Sequence, residues 1–479
     1  MAITSASAPD AAPQKVTLSG NYIDFTGAGS AWAQQYLPDL MEKEAEIFGK
    51  RTISGFLSQI GAEEPSNADR VAWSEQGRLH MSYTATYVST HVLAIVNDID
   101  GNSIGTAEHG IRVGDTVIVT SSAGNTAKCH VQGVSDNAIT MYPYGAADLS
   151  TAIGSTATAE LLRVMVYGSE FAKGTAARTS ANEPAFKSHF NKHIILKDFF
   201  EVSGSDAGNI GWVEVAGEAG QNGYMWYLKA EGDTRARFTD YIEMALLEGE
   251  LAVAGSVVEN TSMGLSASTT GYDAGTEGLF KAITTRGHQS TGITGVNPAT
   301  DLAEFDAMLA VFDQNGAIEE NMMFVDRSTS LAIDDMLASM NSYGAGGTSY
   351  GVFQNSEEMA LNLGFSGFRR GSYDFYKSDM KYLNDKALRG GLNDSVNAIR
   401  GVVIPAGVSS VYDENLGKNL KRPFLHVRYK VSDTDNRKMK TWITGSVGAA
   451  TSGKDVMEVH YLSERCLITQ GANNFMLLN

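Results

Sequence analysis

Hydrophobic positions along this chain change period several times, and each change marks a boundary between elements. From Arg70 onward apolar residues fall at every second place: Val71 and Trp73, then Leu79, Met81, Tyr83, Ala85 and Tyr87. That alternation predicts an extended strand, the outgoing arm of a long hairpin. The matching return is expected at 186–200 (FKSHFNKHIILKDFF), where β-branched and aromatic residues again dominate. Between the arms, 91–166 reads as a small β unit. Short strands at 110–120, 127–134 and 138–142 are separated by Gly, Asn and Asp turns, the spacing of small barrels and sandwiches. A hairpin tip is where such an insertion disturbs a fold least.

Helical spacing appears in other stretches. Trp32, Tyr36, Leu40, Ile47 and Phe48 predict a helix pair or kinked helix over 31–49, interrupted at Pro38 and stopped at Gly49. Asp233 is expected to cap a long helix over 234–254, with Phe238, Tyr241, Ile242, Ala245 and Leu246 as its apolar stripe. A Ser/Thr/Gly-rich connection, 257–278, comes next. It is too long for an ordinary loop, so a contact from outside the chain is expected to order it. The remainder alternates helix (301–314 with Thr300 as cap, 328–340) with strand (322–325, 401–404, 424–431, 441–444, 456–461, 466–469). This predicts an α+β region with a C-terminal sheet.

Composition narrows the class. A chain of 479 residues holds two or three packed units, and 43% hydrophobic with 19% charged residues excludes a disordered chain. Its apolar runs, such as 402–405, are strand-sized, well short of the roughly 18 residues a spanning helix needs. The opening MAITSASAPDAAPQK has neither a basic start nor an apolar core and reads as a mobile arm, not a secretory signal. Cys129 and Cys466, far apart, read as buried thiols of a protein made in a reducing compartment. The net charge of −18 opposes tight binding to nucleic-acid phosphates.

Each motif that suggests chemistry has the wrong surroundings. GAATSGKD at 448–455 supplies the glycines and Lys454 of a phosphate loop, but Asp455 stands where the magnesium-binding hydroxyl belongs, and a strand pattern comes after it where a helix should. GNSIG at 101–105 places Ser103 as a nucleophile elbow would, but leads into another strand. His189 and His193 have zinc-ligand spacing without the adjacent glutamate. The pairs Glu63-Glu64, Asp334-Asp335 and Glu357-Glu358 are sequence neighbours that point different ways, and Arg369-Arg370 is a salt-bridging doublet. No catalytic, cofactor-binding or metal-binding residue is expected.

The order of elements, with VAWSEQGRL at 71–79 leading the outgoing arm, a return ending near 200, and GDTRARFTDYIEMALLEGE at 232–250, resembles the major capsid proteins of tailed bacteriophages, the Hong Kong 97 (HK97-like) fold. The resemblance implies an α+β chain divided into an N-terminal arm and helix (1–66), an extended hairpin loop (67–90 and 167–200) and an inserted β domain (91–166). A peripheral domain with a spine helix (201–260 plus C-terminal strands) and an axial domain (261–479) complete it. It further implies a structural subunit that assembles as hexamers and pentamers into an icosahedral shell around double-stranded DNA, without sequence-specific binding. The acidic charge suits a wall that does not adhere to packed DNA. Portal, scaffold and cement proteins are implied partners. The location would be the virion, assembled in the host cytoplasm with no membrane. A long hairpin alone in water exposes strand edges, and its basic return (Lys173, Arg178, Lys187) is expected to contact a neighbouring acidic copy. The alternatives are a tail tube or sheath subunit, an encapsulin-like compartment shell, and, from a different class, a hydrolase using Ser103 or a nucleotide enzyme using Lys454.

Overall fold

The computed structural model describes residues 62–78, 80–154, 160–176, 178, 186–205, 214–216, 222–258, 262–265, 274–290, 298–316, 318–341, 367–392, 398–406, 408–413, 418–446 and 451–479. The arm and helix expected before residue 62, and Glu357-Glu358, lie outside these. Two units divide the chain, one of residues 74–189 and one of the residues before and after. Among the described residues no helix is long and apolar enough to cross a membrane.

After β1 (Ala62–Ser66) and β2 (Arg70–Gln76), the first unit builds β3 (Ser82–Ser89), β4 (Val92–Asp98), β5 (Asp115–Thr120), β6 (Thr126–Ser135), β7 (Ala138–Pro143), α1 (Leu149–Ile153) and β8 (Leu161–Ser169). Its six strands close into an antiparallel barrel, β3-β4-β7-β6-β5-β8. Strict alternation drives this closure. Tyr83 and Ala85, Leu93 and Ile95, Val117 and Val119, Cys129 and Val131, Ile139 and Met141, Leu162 and Val164 all point inward and are buried. Leu149 and Ile153 of α1 join the same core, with the Asp148 carboxylate accepting from Thr151 N at the helix start. Register shifts at Thr116/Val117 and Val131/Gly133 bend the strands enough for the sheet to meet itself.

The alternation at 71–87, which suggests one continuous arm, is therefore divided. Val71 and Trp73 belong to β2, which pairs with β9 (Phe186–Lys192), whereas Tyr83 and Ala85 are barrel residues. A period of two reports that one face is buried and does not say whether the strand stands in a ribbon or a barrel.

The second unit continues with β10 (Ile194–Ser203), β11 (Glu214–Ala216), β12 (Asn222–Tyr224), α2 (Met225–Glu248), α3 (Leu279–Arg286), β13 (His288–Ser290), α4 (Pro298–Asn315), β14 (Glu320–Val325) and α5 (Arg327–Asn341). It ends with β15 (Gly367–Arg370), β16 (Tyr373–Asp379), α6 (Lys381–Asn384), β17 (Gly401–Pro405), β18 (Val408–Asp413), β19 (Lys418–Pro423), β20 (Leu425–Lys430), β21 (Lys440–Gly445), β22 (Val456–Thr469) and β23 (Met476–Leu478).

Two sheets share its core. A mixed sheet, β13-β23-β17-β14-β16-β15, is covered on both sides. Met323, Val325, Val403 and Met476 meet Phe305, Phe312, Ile333 and Leu337 of α4 and α5 on one face. Phe324, Val402, Ile404 and Leu477 meet α2, α3 and the other sheet on the opposite face. Double coverage explains why all of β17 is buried and why 401–404 reads as an unbroken apolar run. The second sheet, β1-β20-β22-β10 with β21 also on β22, is organised by one long strand. β22 pairs along Val456 to Arg465 with β10, and on its other edge with β21 and then β20.

The sequence pattern suggests two strands here, 456–461 and 466–469, because Ser463, Glu464 and Arg465 interrupt the apolar run. They are tolerated mid-strand because each is paired. Ser463 Oγ donates to Lys438 O, Arg437 pairs with Glu464, and Arg465 donates to Glu63 and Lys438 O.

Of the predicted stripe, Phe238, Ile242 and Leu246 are buried on α2, Ala245 is half-buried and Tyr241 is exposed. The helix starts earlier than expected, at Met225, so Asp233 is an interior residue and not its cap. Gly249 follows the helix in close contact with Gly278, where an added Cβ would lie 2.5 Å from Gly249 N. The described end of the 257–278 connection is held by the chain's own Asn191. Its Nδ2 donates to Glu277 O (2.9 Å) and Leu467 O (2.6 Å), while Oδ1 accepts from Glu277 N (2.8 Å) and Thr276 Oγ1 (3.1 Å). Asn191→Ala strands these buried groups without partners and is expected to cost about 3 kcal/mol, read as an earlier urea midpoint for the second unit. An unchanged midpoint would show the pin to be dispensable.

Candidate functional site

The geometry decides the fate of each chemical motif. Lys454 stands at the hairpin between β21 and β22, its Nζ 2.8 Å from Glu201 and 3.1 Å from Glu458, and the chain enters a strand at Val456. A phosphate loop needs amides aimed from a helix start, and this hairpin leads into none. At Ser103 the backbone bridges Asn97, inside a turn organised by the Asp98 carboxylate, which accepts from Asp100 N and Asn102 N. His189 Nε2 lies 3.7 Å from Glu75, whereas His193 is buried with Nδ1 3.3 Å from Asp69 O. Burial holds the His193 pKa below its usual value, favouring neutral imidazole. Among the described residues no group of three or more His, Cys, Asp or Glu is placed to hold a metal ion.

One cluster was invisible in sequence because its members come from two strands. Thr444 Oγ1 lies 2.7 Å and Glu458 Oε2 3.2 Å from the same nitrogen, His460 Nε2. A hydroxyl–imidazole–carboxylate relay needs the two partners on different ring nitrogens, so this cluster does not form one.

Of the three cations expected to meet a neighbour, Arg178 is engaged within its own unit. It donates to buried Asp115 at 2.5 Å, and its guanidinium lies 5.6 Å from the Phe171 ring centroid. Lys173 and Lys187 are exposed. The doublet divides as its alternation requires: Arg370 grips Asp306 through two 2.6 Å bonds, and Arg369 faces Asp374 at 3.7 Å. Glu63 and Glu64 likewise separate, Glu63 to Lys438 and Arg465, Glu64 to Arg428. Asp334 forms a buried pair with Lys377 at 2.5 Å.

The described residues also expose apolar surface. On the outward side of the β22 sheet, Phe199, His460 and Trp442 occupy one row across β10, β22 and β21. Their rings stack, with centroids 6.0 Å apart for Phe199–His460 and 5.2 Å for Trp442–His460. Phe199 is 53% and Trp442 36% exposed. On the barrel, outward positions of β8 leave Leu161 55%, Met165 44% and Tyr167 47% exposed.

No protein-family model and no curated protein matches this chain. Solved structures do. A chain from Mycobacterium phage Ogopogo has 10% identity and a TM-score of 0.41, with 94% of this chain and 98% of that one covered. The capsid of a native GTA particle has 11% identity and a TM-score of 0.40 over the same shares. The capsid structure of the cyanophage P-SCSP1u has 9% identity and a TM-score of 0.33, covering 65% of this chain and 79% of that one.

Both cysteines are free and buried, and burial pushes each thiol pKa up to about 12. At pH 8 the thiolate fraction is then about one in ten thousand. Neither Cys129 nor Cys466 is expected to react with iodoacetamide in the native protein, and both should react in guanidinium. Native labelling at either position, read by peptide mass spectrometry, would contradict the burial.

Proposed function

We propose that the chain is the major capsid subunit of a tailed bacteriophage, assembling with copies of itself into an icosahedral shell around double-stranded DNA. One observation carries the reading. Along this chain a paired ribbon (β2 with β9), a long helix on a sheet (α2 on β10 and β22) and a mixed sheet between helices follow one another, which supports the order of extended hairpin, long helix and α+β region that the resemblance implies. In this reading β2 and β9 belong to the extended loop, and the barrel is an insertion in it. α2 with the β22 sheet forms the peripheral domain, and the mixed sheet with α4 and α5 is axial.

The surface supports this. A single copy in water leaves the outward apolar positions of β8 and the Phe199 row uncovered, a cost that repeated contacts between copies remove. The excess of 18 negative charges keeps packaged DNA from adhering to the wall. Copies in hexamers and pentamers are the partners, with portal, scaffold and cement proteins joining them in a particle assembled in the host cytoplasm. Ser103 and Lys454 have structural roles in a turn and a hairpin.

Purified chain is expected to form closed shells in negative-stain micrographs. Helical tubes would favour a tail subunit, shells loaded with an enzyme an encapsulin-like compartment, and a permanent monomer would end the proposal. Reversing Lys173 and Lys187 to Glu is expected to lower particle yield several-fold by placing like charge against an acidic neighbour. Arg178→Glu adds a barrel defect through Asp115, visible as a lower melting temperature of the barrel.

A further inference from the structure

The geometry points to the outward face of the β22 sheet, centred on Phe199, His460 and Trp442, as a docking surface for a second copy of this chain. The inference rests on the shell reading and specifies where one of its contacts lies.

Three adjacent rows give the face a graded character. Above the rings, Lys197, Leu462 and Lys440 pair across the three strands. Leu462 points outward and yet is only 5% exposed, the floor of a recess of about 420 Å³ rimmed by Lys197, Arg437, Lys440 and Trp442. Below the rings, Glu201, Glu458 and Thr444 form the third row. The face therefore runs from cationic through aromatic to a carboxylate pair bridged by Lys454 within three pairings.

That gradient selects the occupant. Glu201 and Glu458 are already bridged by Lys454 (2.8 and 3.1 Å), so the excess charge of the face lies at its Lys197 end. A second copy, carrying 55 acidic against 37 basic residues, has carboxylates for the cationic row and apolar side chains for the rings. Lys197 is the cation placed to receive them, since Arg437 also pairs with Glu464. Arg437 and Lys440 are braced by Asp435 (3.6 and 2.8 Å), and Lys197 makes no ion pair among the described residues. The rings are preorganised by stacking on one another, so docking orders few side chains, and aromatic residues held in this way are typical binding hot spots. Among the described residues β10 and β21 each pair within this sheet with β22 alone, so an arriving segment also finds unpaired backbone groups beside the face.

The test is hydroxyl-radical footprinting of the full chain, free and assembled, read by mass spectrometry at Phe199 and Trp442. Labelling of both is expected to fall several-fold in particles. A Phe199→Glu variant with unchanged circular dichroism is expected to raise the concentration needed for assembly about thirty-fold or more, and Phe199→Leu is expected to retain assembly. Equal labelling in free subunits and particles would overturn the inference, as would wild-type assembly by folded Phe199→Glu. If that variant fails to fold, the wild-type footprint alone decides. Absence of particles from the wild-type chain would instead count against the shell reading itself.

Discussion

The second unit depends on two-sided pairing along β22. Because this strand accepts β10 on one edge and both β21 and β20 on the other, residues 194–203, 425–429 and 440–445 are fixed relative to one another by a single ladder. A one-residue slip would turn Val459, Tyr461 and Leu467 out of the core and present His460, Leu462 and Cys466 to the wrong faces. Everything stacked on that sheet inherits its register. The rings of Phe238 on α2 and Tyr461 meet at 5.9 Å, and Trp73 of β2 packs with Cys466 and Ile468.

Polar pairing, more than additional apolar burial, secures the ladder where it is weakest. Lys430 and Arg437 converge on Glu464, Arg465 and Lys438 on Glu63, and Arg428 on Glu64. Arg465 is largely buried, so its bonds to Lys438 O and Ser463 Oγ carry more weight than exposed surface pairs would. In a chain of strongly negative net charge, many of the cations near this sheet are spent on its own carboxylates. Lys197 stands out from that pattern.

Much of the second unit's core was legible. Phe238, Ile242 and Leu246 on α2, and Phe305 and Phe312 on α4, follow a helical period that only burial of one face produces. Strands β5, β6 and β7 were legible as strands within the inserted unit and β3 as a strand of the arm, but β4, β8 and the closure were not, since closure depends on β3 pairing with β8, about eighty residues apart, and no local pattern encodes that partner. The continuity of β22 was hidden for a related reason. Ser463, Glu464 and Arg465 look like a break until Lys438, Arg437 and Glu63 are brought beside them. The ring row was equally hidden, because Phe199, Trp442 and His460 meet only through pairing.

Barrel closure also sets the order in which the chain becomes structured during synthesis. All six staves lie between residues 82 and 169, so the barrel can complete itself while the ribosome is still making the remaining two thirds of the chain. The second unit cannot, because β1 waits for β20 and β10 for β22, partners hundreds of residues downstream. A finished barrel with no open edge is a safe companion for the long interval in which β1 and β10 have no partners, and it leaves nascent copies on one messenger with fewer free edges to exchange.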